Sequence, residues 1–308
     1  MKLVAGIDGG QSSTVAAIVD ASGVVRGRGT AGPSDHVDEP DDSERAARAC
    51  MQAVAHALTA AGLPRDTRLE AVTIGLSGYE GQWHGALPSF ATANVRYVHD
   101  APIALAGALD ERPAGVVVAG TGSAGYADDG AGRTFAVGGY GYLFGDAGSG
   151  FAIARDALAA AMEAADTGET TGIELAARAY FDVPDLRALA RAVALRRIPR
   201  PQLAAFARLV LDAARLGDPE AAAVVEDAAS ALARLARTLA GRVGASAPLP
   251  VAFVGGIAQH PLIVAGVRAN LTRAAGVAFV APEHEPAVGA ALLAFDAAGL
   301  PRPRIAAS

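Results

Sequence analysis

A glycine-rich turn between two short apolar strands occurs twice in the chain, and this repeat strongly constrains the fold. The first copy is residues 3–19, LVAGIDGGQSSTVAAIV, and the second is residues 116–127, VVVAGTGSAGYA. Glycine lets the backbone approach a ligand closely, and successive N–H groups in such a turn form a concave anion site. Two copies, one opening each half of the chain, predict a pair of related domains around a polyphosphate.

The first turn opens a series of strands that gives way to alternating helices and strands. The predicted strands lie near 2–8, 14–20, 24–30, 69–76 and 95–98. The predicted helices lie over 44–61, 81–92 and 103–109. Alternation of strand and helix indicates a parallel part of a sheet joined by crossovers. Residues 1–112 therefore predict one α/β domain.

The second turn opens the same order of elements. The predicted strands lie at 115–119, 123–127, 134–137, 250–254 and 278–280. The predicted helices lie over 151–245, with breaks at 167–172, 183–184, 198–201 and 217–219, and then over 261–274 and 286–298. Residues 113–285 thus predict a second α/β domain with a helical insertion over about 151–245. Two similar halves that face each other form a cleft in which ligands usually bind.

Composition narrows the class of protein. The chain has 308 residues, of which 52% are apolar and 19% charged, as in a globular enzyme. The net charge of −6 argues against a nucleic-acid-binding surface. Cys50 is the single cysteine, which excludes an intrachain disulfide and a cysteine-ligated zinc site. The residues around it, 45–51, predict that it lies on the buried side of a helix. No apolar run of about 18 residues and no secretory signal occurs, so we expect a cytoplasmic protein without membrane contact.

Asp8 stands at the end of a predicted buried strand, just before two glycines. A carboxylate there costs desolvation free energy unless it has a partner, and a hydrated magnesium ion is a natural one. The alternative is a hairpin turn, which an Asp-Gly-Gly sequence also favours.

Asp100 ends the strand at 95–98 and precedes Ala101-Pro102. The carboxyl end of a parallel strand faces the crevice of an open sheet. Phosphoryl transfer to an alcohol needs a carboxylate that orients the hydroxyl group and accepts its proton. The alternative is that Asp100 caps a helix whose first turn holds Pro102.

Three further segments have both a chemical and a structural interpretation. Residues 145–150, GDAGSG, could hold sugar hydroxyls or an amide, or their Asp146 or Ser149 could cap the following helix. Gly255-Gly256 allows the backbone to approach a flat ring or a ribose, although alone it is a weak signal. Tyr79 and Trp83 either line a pocket or, in the interpretation that we favour, pack against neighbouring side chains.

Taken together, these segments resemble the sugar kinase, Hsp70 and actin superfamily, and within it the group of N-acetylglucosamine kinases and BadF/BadG/BcrA/BcrD ATPases. The resemblance covers essentially the whole chain. It implies an α/β fold of two ribonuclease H-like (actin-like ATPase) domains facing a central cleft, with the helix over about 286–300 joining the first domain. The segments that carry it are the first phosphate loop at 6–14, the second at 118–123, the catalytic segment at 99–101, the sugar segment at 145–150 and the adenosine loop at 254–257.

The resemblance also implies a role for individual residues. Asp100 would be the catalytic base, and Asp8 would hold Mg²⁺ through water. The residues implied at the ATP phosphates are Gly9, Gly10, Gln11, Ser12, Thr14, Gly120, Thr121, Gly122 and Ser123. Those implied at the adenosine are Gly255, Gly256 and Ile257. Those implied at the sugar are Asp35, Ser77, Gly78, Asp100, Asp146, Ser149 and Gly150.

Two positions depart from the family pattern. Asp35 stands where family members commonly have asparagine, and it could accept sugar hydroxyls or favour an unacetylated amino sugar. Ala147 replaces the usual acidic residue and removes a charge beside the pocket.

The implied activity is ATP-dependent phosphorylation of the 6-hydroxyl of an amino sugar, N-acetylglucosamine first, with Mg²⁺ as cofactor. Glucosamine or another hexose is the alternative acceptor. A BadF-type ATPase or a regulatory ATP-binding protein is the alternative of another class. The resemblance suggests a homodimer.

Overall fold

The computed structural model describes residues 1–34, 40, 42–272 and 276–306. The chain divides into two compact units, each of which is described by itself. The first unit combines Met1–Arg112 with Ala281–Ser308, and the second is Pro113–Val280. Within the described residues, no helix is both long and apolar enough to cross a bilayer.

The first unit is a five-stranded sheet in the order β3-β2-β1-β4-β5, with helices on its faces. Its elements are β1 (Leu3–Gly9), β2 (Thr14–Asp20), β3 (Val25–Ala31), α1 (Arg45–Ala60), β4 (Ala71–Leu76), β5 (Val95–His99), α2 (Asp100–Ala108) and the last helix of the chain, α11 (Pro286–Ala297). The strands β1, β2 and β3 pair antiparallel, whereas β4 and β5 run parallel to β1.

The two faces of β1 pack against different helices because side chains alternate across a strand. Leu3, Ala5 and Ile7 join the core beneath α1, while Val4 packs with α11. Gly6 faces α11 directly, and a Cβ at this position would overlap the backbone of that helix. The strand that carries Asp8 is therefore covered by helices on both faces and fixed in place.

The second unit repeats the sheet topology, in the order β10-β9-β6-β7-β8. Its strands are β6 (Ala114–Ala119), β7 (Ser123–Asp128), β8 (Thr134–Gly138), β9 (Leu249–Val254) and β10 (Val277–Val280). Its helices are α3 (Gly141–Phe144), α4 (Gly150–Asp166), α5 (Gly172–Phe181), α6 (Leu186–Ala194), α7 (Arg200–Ala205), α8 (Ala207–Arg215), α9 (Pro219–Val243) and α10 (Pro261–Thr272). The core lies between the sheet and the long helices α4 and α9.

Most predicted elements are confirmed, and one is wrong. The helices of the insertion are separated at the four predicted breaks, and a further break, at Phe206 between α7 and α8, was not predicted. The helix predicted over 81–92 does not form, and that segment holds only an isolated bridge between Phe90 and Thr92. Gly81 and Gly85 there have φ values of +94° and +90°, which end a right-handed helix. The short helix α3 was not predicted.

Candidate active site

Asp8 lies near two other carboxylates of the first unit. It is the next-to-last residue of β1, and Asp100 is the first residue of α2. Burial, and then the negative charges of Asp100 and Glu285, raise the pKa of Asp8 to about 7. A buried carboxylate with negative neighbours favours a bound proton or a bound cation. This environment fits the magnesium role predicted for Asp8.

The first glycine turn is held by backbone hydrogen bonds from three directions. The Gly10 N–H donates to the Ser13 carbonyl at 3.0 Å, and the Ser77 N–H donates to the Gly9 carbonyl at 3.0 Å. The Ser34 N–H donates to the Gly10 carbonyl at 3.1 Å. Ser77 follows β4 directly, so the sheet brings this predicted sugar residue beside the predicted phosphate turn.

A buried polar chain lies behind this turn. The Thr14 hydroxyl donates to the Gly32 carbonyl at 2.7 Å and lies 2.9 Å from the Ser34 hydroxyl. Ser34 is fully buried, and a Cβ on Gly9 would overlap its oxygen. Burial raises the pKa of Cys50 to about 12, although a hydrogen bond with Ser34 acts in the opposite direction. The structural interpretation of Cys50 is confirmed, and Ser34 is a brace that the sequence did not reveal.

The aromatic residues after β4 pack together. The ring of Tyr97 lies 6.3 Å from Tyr79 and 5.3 Å from Trp83, between ring centroids. All three contact the core beneath α1. The packing interpretation of Tyr79 and Trp83 is confirmed.

His99, rather than Asp100, is the N-cap of α2. Its Nδ1 atom lies 3.2 Å from the Ala101 nitrogen and 2.7 Å from Asp100 Oδ1. The interpretation of Asp100 as the cap is wrong, because the helix already begins at this residue. The carboxylate of Asp100 is 24% exposed and thus open to a substrate.

Glu285 was not predicted as part of the site. It is the N-cap residue of α11, and its Oε1 accepts from Arg28 Nε at 2.6 Å. The only sequence signal is the following Pro286, which marks the start of a helix. The effect of Glu285 on the Asp8 carboxyl comes from packing of α11 against β1.

In the second unit, the second glycine turn is joined to the start of α4. The carbonyls of Gly120 and Thr121 accept from the N–H groups of Gly150 and Phe151, at 2.8 and 3.3 Å. Ser149 is the N-cap of α4, and its buried Oγ accepts from the Ala152 N–H at 3.2 Å. The capping interpretation of Ser149 is therefore confirmed.

Asp146 connects the second turn to the helical insertion. Its Oδ1 accepts from the Ser123 N–H at 3.2 Å, and its Oδ2 accepts from Arg200 Nη2 at 2.9 Å. The side chain is only 6% exposed, and its φ of +57° is uncommon for a residue other than glycine. A Cβ on Gly122 would lie 2.9 Å from the carboxylate. The predicted sugar residue thus sits against the predicted phosphate turn of its own unit.

Arg200 is a third side chain of the site, after Ser34 and Glu285, that was not predicted from the sequence. Its guanidinium lies 4.8 Å from the ring centroid of Tyr142 and 5.9 Å from that of Phe151. Its buried Nε has no hydrogen-bond partner among the described residues. The sequence marks this position only as a helix break, Pro199-Arg200-Pro201.

The predicted adenosine loop packs on the end of β6. The N–H groups of Ile257 and Ala258 donate to the Ala119 carbonyl at 3.1 and 3.2 Å. Gly255 has a φ of +99°, and a Cβ there would overlap the same carbonyl. Gly256 is exposed and, among the described residues, no atom lies within 4 Å of where its Cβ would be. Packing against β6 explains why glycine stands at position 255. At Gly256, in contrast, there is open space that a ligand can fill.

The contacts described above do not include two predicted parts of the site, the sugar residue Asp35 and the metal ion. Asp35 lies outside the described residues. In the part of the chain that the structure describes, no three His, Cys, Asp or Glu side chains gather as ligands of one metal ion.

Solved structures share this architecture. One is a provisionally named N-acetylglucosamine kinase from Chromobacterium violaceum, with 29% identity, coverage of 95% of this chain and 99% of that one, and a TM-score of 0.77. Another is a ROK family glucokinase from Streptomyces griseus, solved with glucose and AMPPNP, with 21% identity, coverage of 96% and 99%, and a TM-score of 0.61. The predicted α/β fold of two ribonuclease H-like, actin-like ATPase domains is confirmed.

Sequence comparison gives the family. The model of the BadF/BadG/BcrA/BcrD ATPase family matches residues 5–294, and the chain belongs to that family. A curated relative is the N-acetylmuramic acid/N-acetylglucosamine kinase of Clostridium acetobutylicum. It is 28% identical over 239 residues, which are 75% of this chain and 77% of the relative.

Proposed function

We propose that the chain is an ATP-dependent sugar kinase that phosphorylates the 6-hydroxyl of an amino sugar, with N-acetylglucosamine as the acceptor. The observation that carries this proposal is the coupling of Asp8 and Asp100, two carboxylates beside the first glycine turn. The names of the curated relative and of the Chromobacterium violaceum structure support the acceptor class.

In this proposal Asp100 is the general base. It stands at the first turn of α2, directly after the carboxyl end of the parallel strand β5, where an open sheet binds ligands. As the sugar oxygen forms its bond to the γ-phosphorus, the O–H bond breaks and Asp100 takes the proton. The bond from the γ-phosphorus to the bridging oxygen breaks, and ADP leaves with that electron pair.

The residues present fit ATP and Mg²⁺. In the proposal the first turn, at Gly9, Gly10, Gln11 and Ser12, and the second, at Gly120, Thr121 and Gly122, lie against the phosphates. The N–H groups of Gly10 and Gly120 close these turns on the carbonyls of Ser13 and Gly122. Bound Mg²⁺ supplies positive charge that offsets the phosphate charge. Asp8 would hold the ion through water, and the negative charges of Asp100 and Glu285 near it support this role.

Two predicted phosphate contacts have other partners. The hydroxyl groups of Thr14 and Ser123 donate to the carbonyls of Gly32 and Ala147. In the proposal these two side chains brace the turns, and Gly256 leaves room for the adenosine beside Gly255 and Ile257.

The sugar contacts remain proposals for each residue. Ser77 and Gly78 follow β4 next to the first turn, and Asp35 is proposed from the resemblance alone. Asp146 accepts two hydrogen bonds within its unit, and a carboxylate has lone pairs for further donors, such as a sugar hydroxyl. Ser149 and Gly150 are buried at the start of α4, where they shape this segment.

The alternative of an activator ATPase is less well supported. In our hypothesis such a protein holds a metal cluster between subunits through cysteines, and the single cysteine, Cys50, is fully buried. The homodimer and the cytoplasmic location stay predictions.

The test is an ATP-consumption assay with N-acetylglucosamine, N-acetylmuramic acid, glucosamine, N-acetylmannosamine and glucose. We expect turnover with N-acetylglucosamine and a product whose ¹³C spectrum shows phosphorus coupling at C6. Asp100→Asn should lower kcat by about 10²-fold or more, because the general base is lost. Asp66→Asn, the same change at an exposed site of the first unit, should have no effect.

Two outcomes would contradict the proposal. Absence of turnover on every sugar would refute the kinase activity, and unchanged turnover in Asp100→Asn would refute the role of this residue.

A further inference from the structure

His99 lies directly before Asp100, and one atom of its ring has two neighbours. Nδ1 is 2.7 Å from Asp100 Oδ1 and 3.2 Å from the backbone nitrogen of Ala101. It must carry a hydrogen to donate to the carboxylate, and it must carry a free lone pair to accept from the Ala101 N–H. Because one nitrogen does not do both at once, the two hydrogen bonds exclude each other.

We propose that His99 is a positioning residue for Asp100, and that its Nδ1 exchanges between the Asp100 carboxylate and the N–H of Ala101. This inference rests on the proposed function, in which Asp100 is the base. When Nδ1 carries a hydrogen, it donates to Oδ1 and occupies a lone pair of the carboxylate. When Nδ1 is bare, it caps α2, and Asp100 is free to accept the proton of the substrate hydroxyl.

The charges around His99 favour the form that holds Asp100. The hydrogen bond from His99 to Asp100, and then the negative charges of Asp100 and Glu80, raise the pKa of the imidazole, while partial burial acts in the opposite direction. Glu80 belongs to the segment that follows β4, and β4 pairs with β5 at His99. On β1, Asp8 is a further negative neighbour of Asp100. These negative charges therefore favour the form of His99 in which Nδ1 carries a hydrogen and holds Asp100.

The substitution His99→Asn allows both hydrogen bonds to form at the same time. The asparagine carbonyl oxygen can accept from the Ala101 N–H while the amide nitrogen donates to Asp100, and neither group titrates. Asparagine is also a good N-cap, so we expect His99→Asn to fold. Alanine at this position removes both hydrogen bonds.

The first experiment measures the pKa of His99 without any turnover. The imidazole Cε1–H resonances are followed against pH by NMR, and the His99 signal is assigned by its absence in His99→Asn. We expect a pKa above the ordinary value of about 6.5, and a lower pKa in Asp100→Asn. His56→Asn, at a histidine that contacts Thr30 instead, should leave the His99 titration unchanged. A His99 pKa that does not respond to Asp100→Asn would overturn the inference.

The second experiment measures kcat against pH at saturating sugar and MgATP, which keeps Asp8 ionised. From about pH 8 to pH 6 the wild type should lose about tenfold in kcat, whereas His99→Asn should lose less than about threefold. If kcat falls equally at acid pH in the wild type and in His99→Asn, the inference is overturned. Absence of turnover on every sugar would instead refute the proposed function, and the NMR titration would still decide whether His99 and Asp100 are coupled.

Discussion

The carboxyl of Asp8, the next-to-last residue of β1, is partly buried and has Asp100 and Glu285 as negative neighbours. Its pKa is raised from 3.8 to about 7, so the folded protein holds this proton more tightly than the unfolded chain does. Between these two values the folded state binds more protons. The stability of the protein must therefore fall as the pH rises through this window.

We predict that, without Mg²⁺ and nucleotide, the wild type loses more stability between pH 5 and pH 8 than Asp8→Asn does. The difference should be on the order of 2 kcal/mol, since the uncharged amide does not titrate. Thermal denaturation in EDTA measures it, with Asp66→Asn as the carboxylate control. Mg²⁺ at pH 8 should restore stability in the wild type only. An equal pH dependence in wild type and Asp8→Asn would show that the carboxyl has an ordinary pKa.

Some contacts of single residues could not be predicted from the sequence. Asp146 was predicted at the sugar, but its pairing with Arg200, 54 positions away, was not. Ser34 was part of a loop without an assigned role, and its contact with Thr14 spans 20 positions. Such partners depend on which elements pack together, and no local pattern encodes that.

At the scale of elements, α2 and α11 pack closely enough that their backbones touch. A Cβ on Gly289 of α11 would overlap the Ile103 carbonyl and the Gly107 nitrogen of α2. The N–H of His284 donates to the Gly107 carbonyl at 2.8 Å. Because Asp100 begins α2, this contact helps to set where the proposed base lies.

We predict that Gly289→Ala destabilises the protein by about 1–3 kcal/mol, because the added methyl group must push the two helices apart. It should also lower kcat, since α2 carries Asp100. Chemical denaturation and steady-state kinetics measure the two effects. The matched control is Gly241→Ala in α9, where no described atom lies within 4 Å of the added Cβ; there alanine should be neutral or stabilising. Gly289→Ala with wild-type stability would contradict the tight packing.

Elements also differ in how well the sequence predicts them. The insertion was predicted well because proline and glycine breaks end helices locally, as at Pro199 and Gly217. The segment 81–92 was assigned to a helix wrongly. There the positive φ values of Gly81 and Gly85, and the Trp83 ring packed on Tyr97, fix an irregular path instead.

On the scale of the whole molecule, the first unit depends on the end of the chain. The helix α11 covers the sheet from residues 286–297, and Phe295 is fully buried between it and the strands. The second unit has its own core, which includes the helices of the insertion. The core of the first unit therefore requires α11, whereas the core of the second unit is complete without this helix.

We predict that a chain ending at Val280 unfolds in the first unit, because one face of its sheet loses its cover, and keeps the second unit folded. Trp83, the single tryptophan, lies in the first unit, so its fluorescence should shift to the value of the unfolded protein. The far-UV circular dichroism should retain most of the helical signal, which comes mainly from the insertion. Native Trp83 fluorescence in the shortened chain would contradict the prediction.

The sequence by itself determined the two glycine turns and most of the strands and helices around them, because glycine, proline and apolar spacing act within a few residues. The proposed roles of Asp8 and Asp100 came from the family resemblance of the whole chain, since the local sequence left an alternative open for each. Only the tertiary structure decided that Glu285 raises the pKa of Asp8 and that Arg200 pairs with Asp146. The physical reason is that burial and charge interactions depend on distances between elements remote in sequence, which packing alone sets.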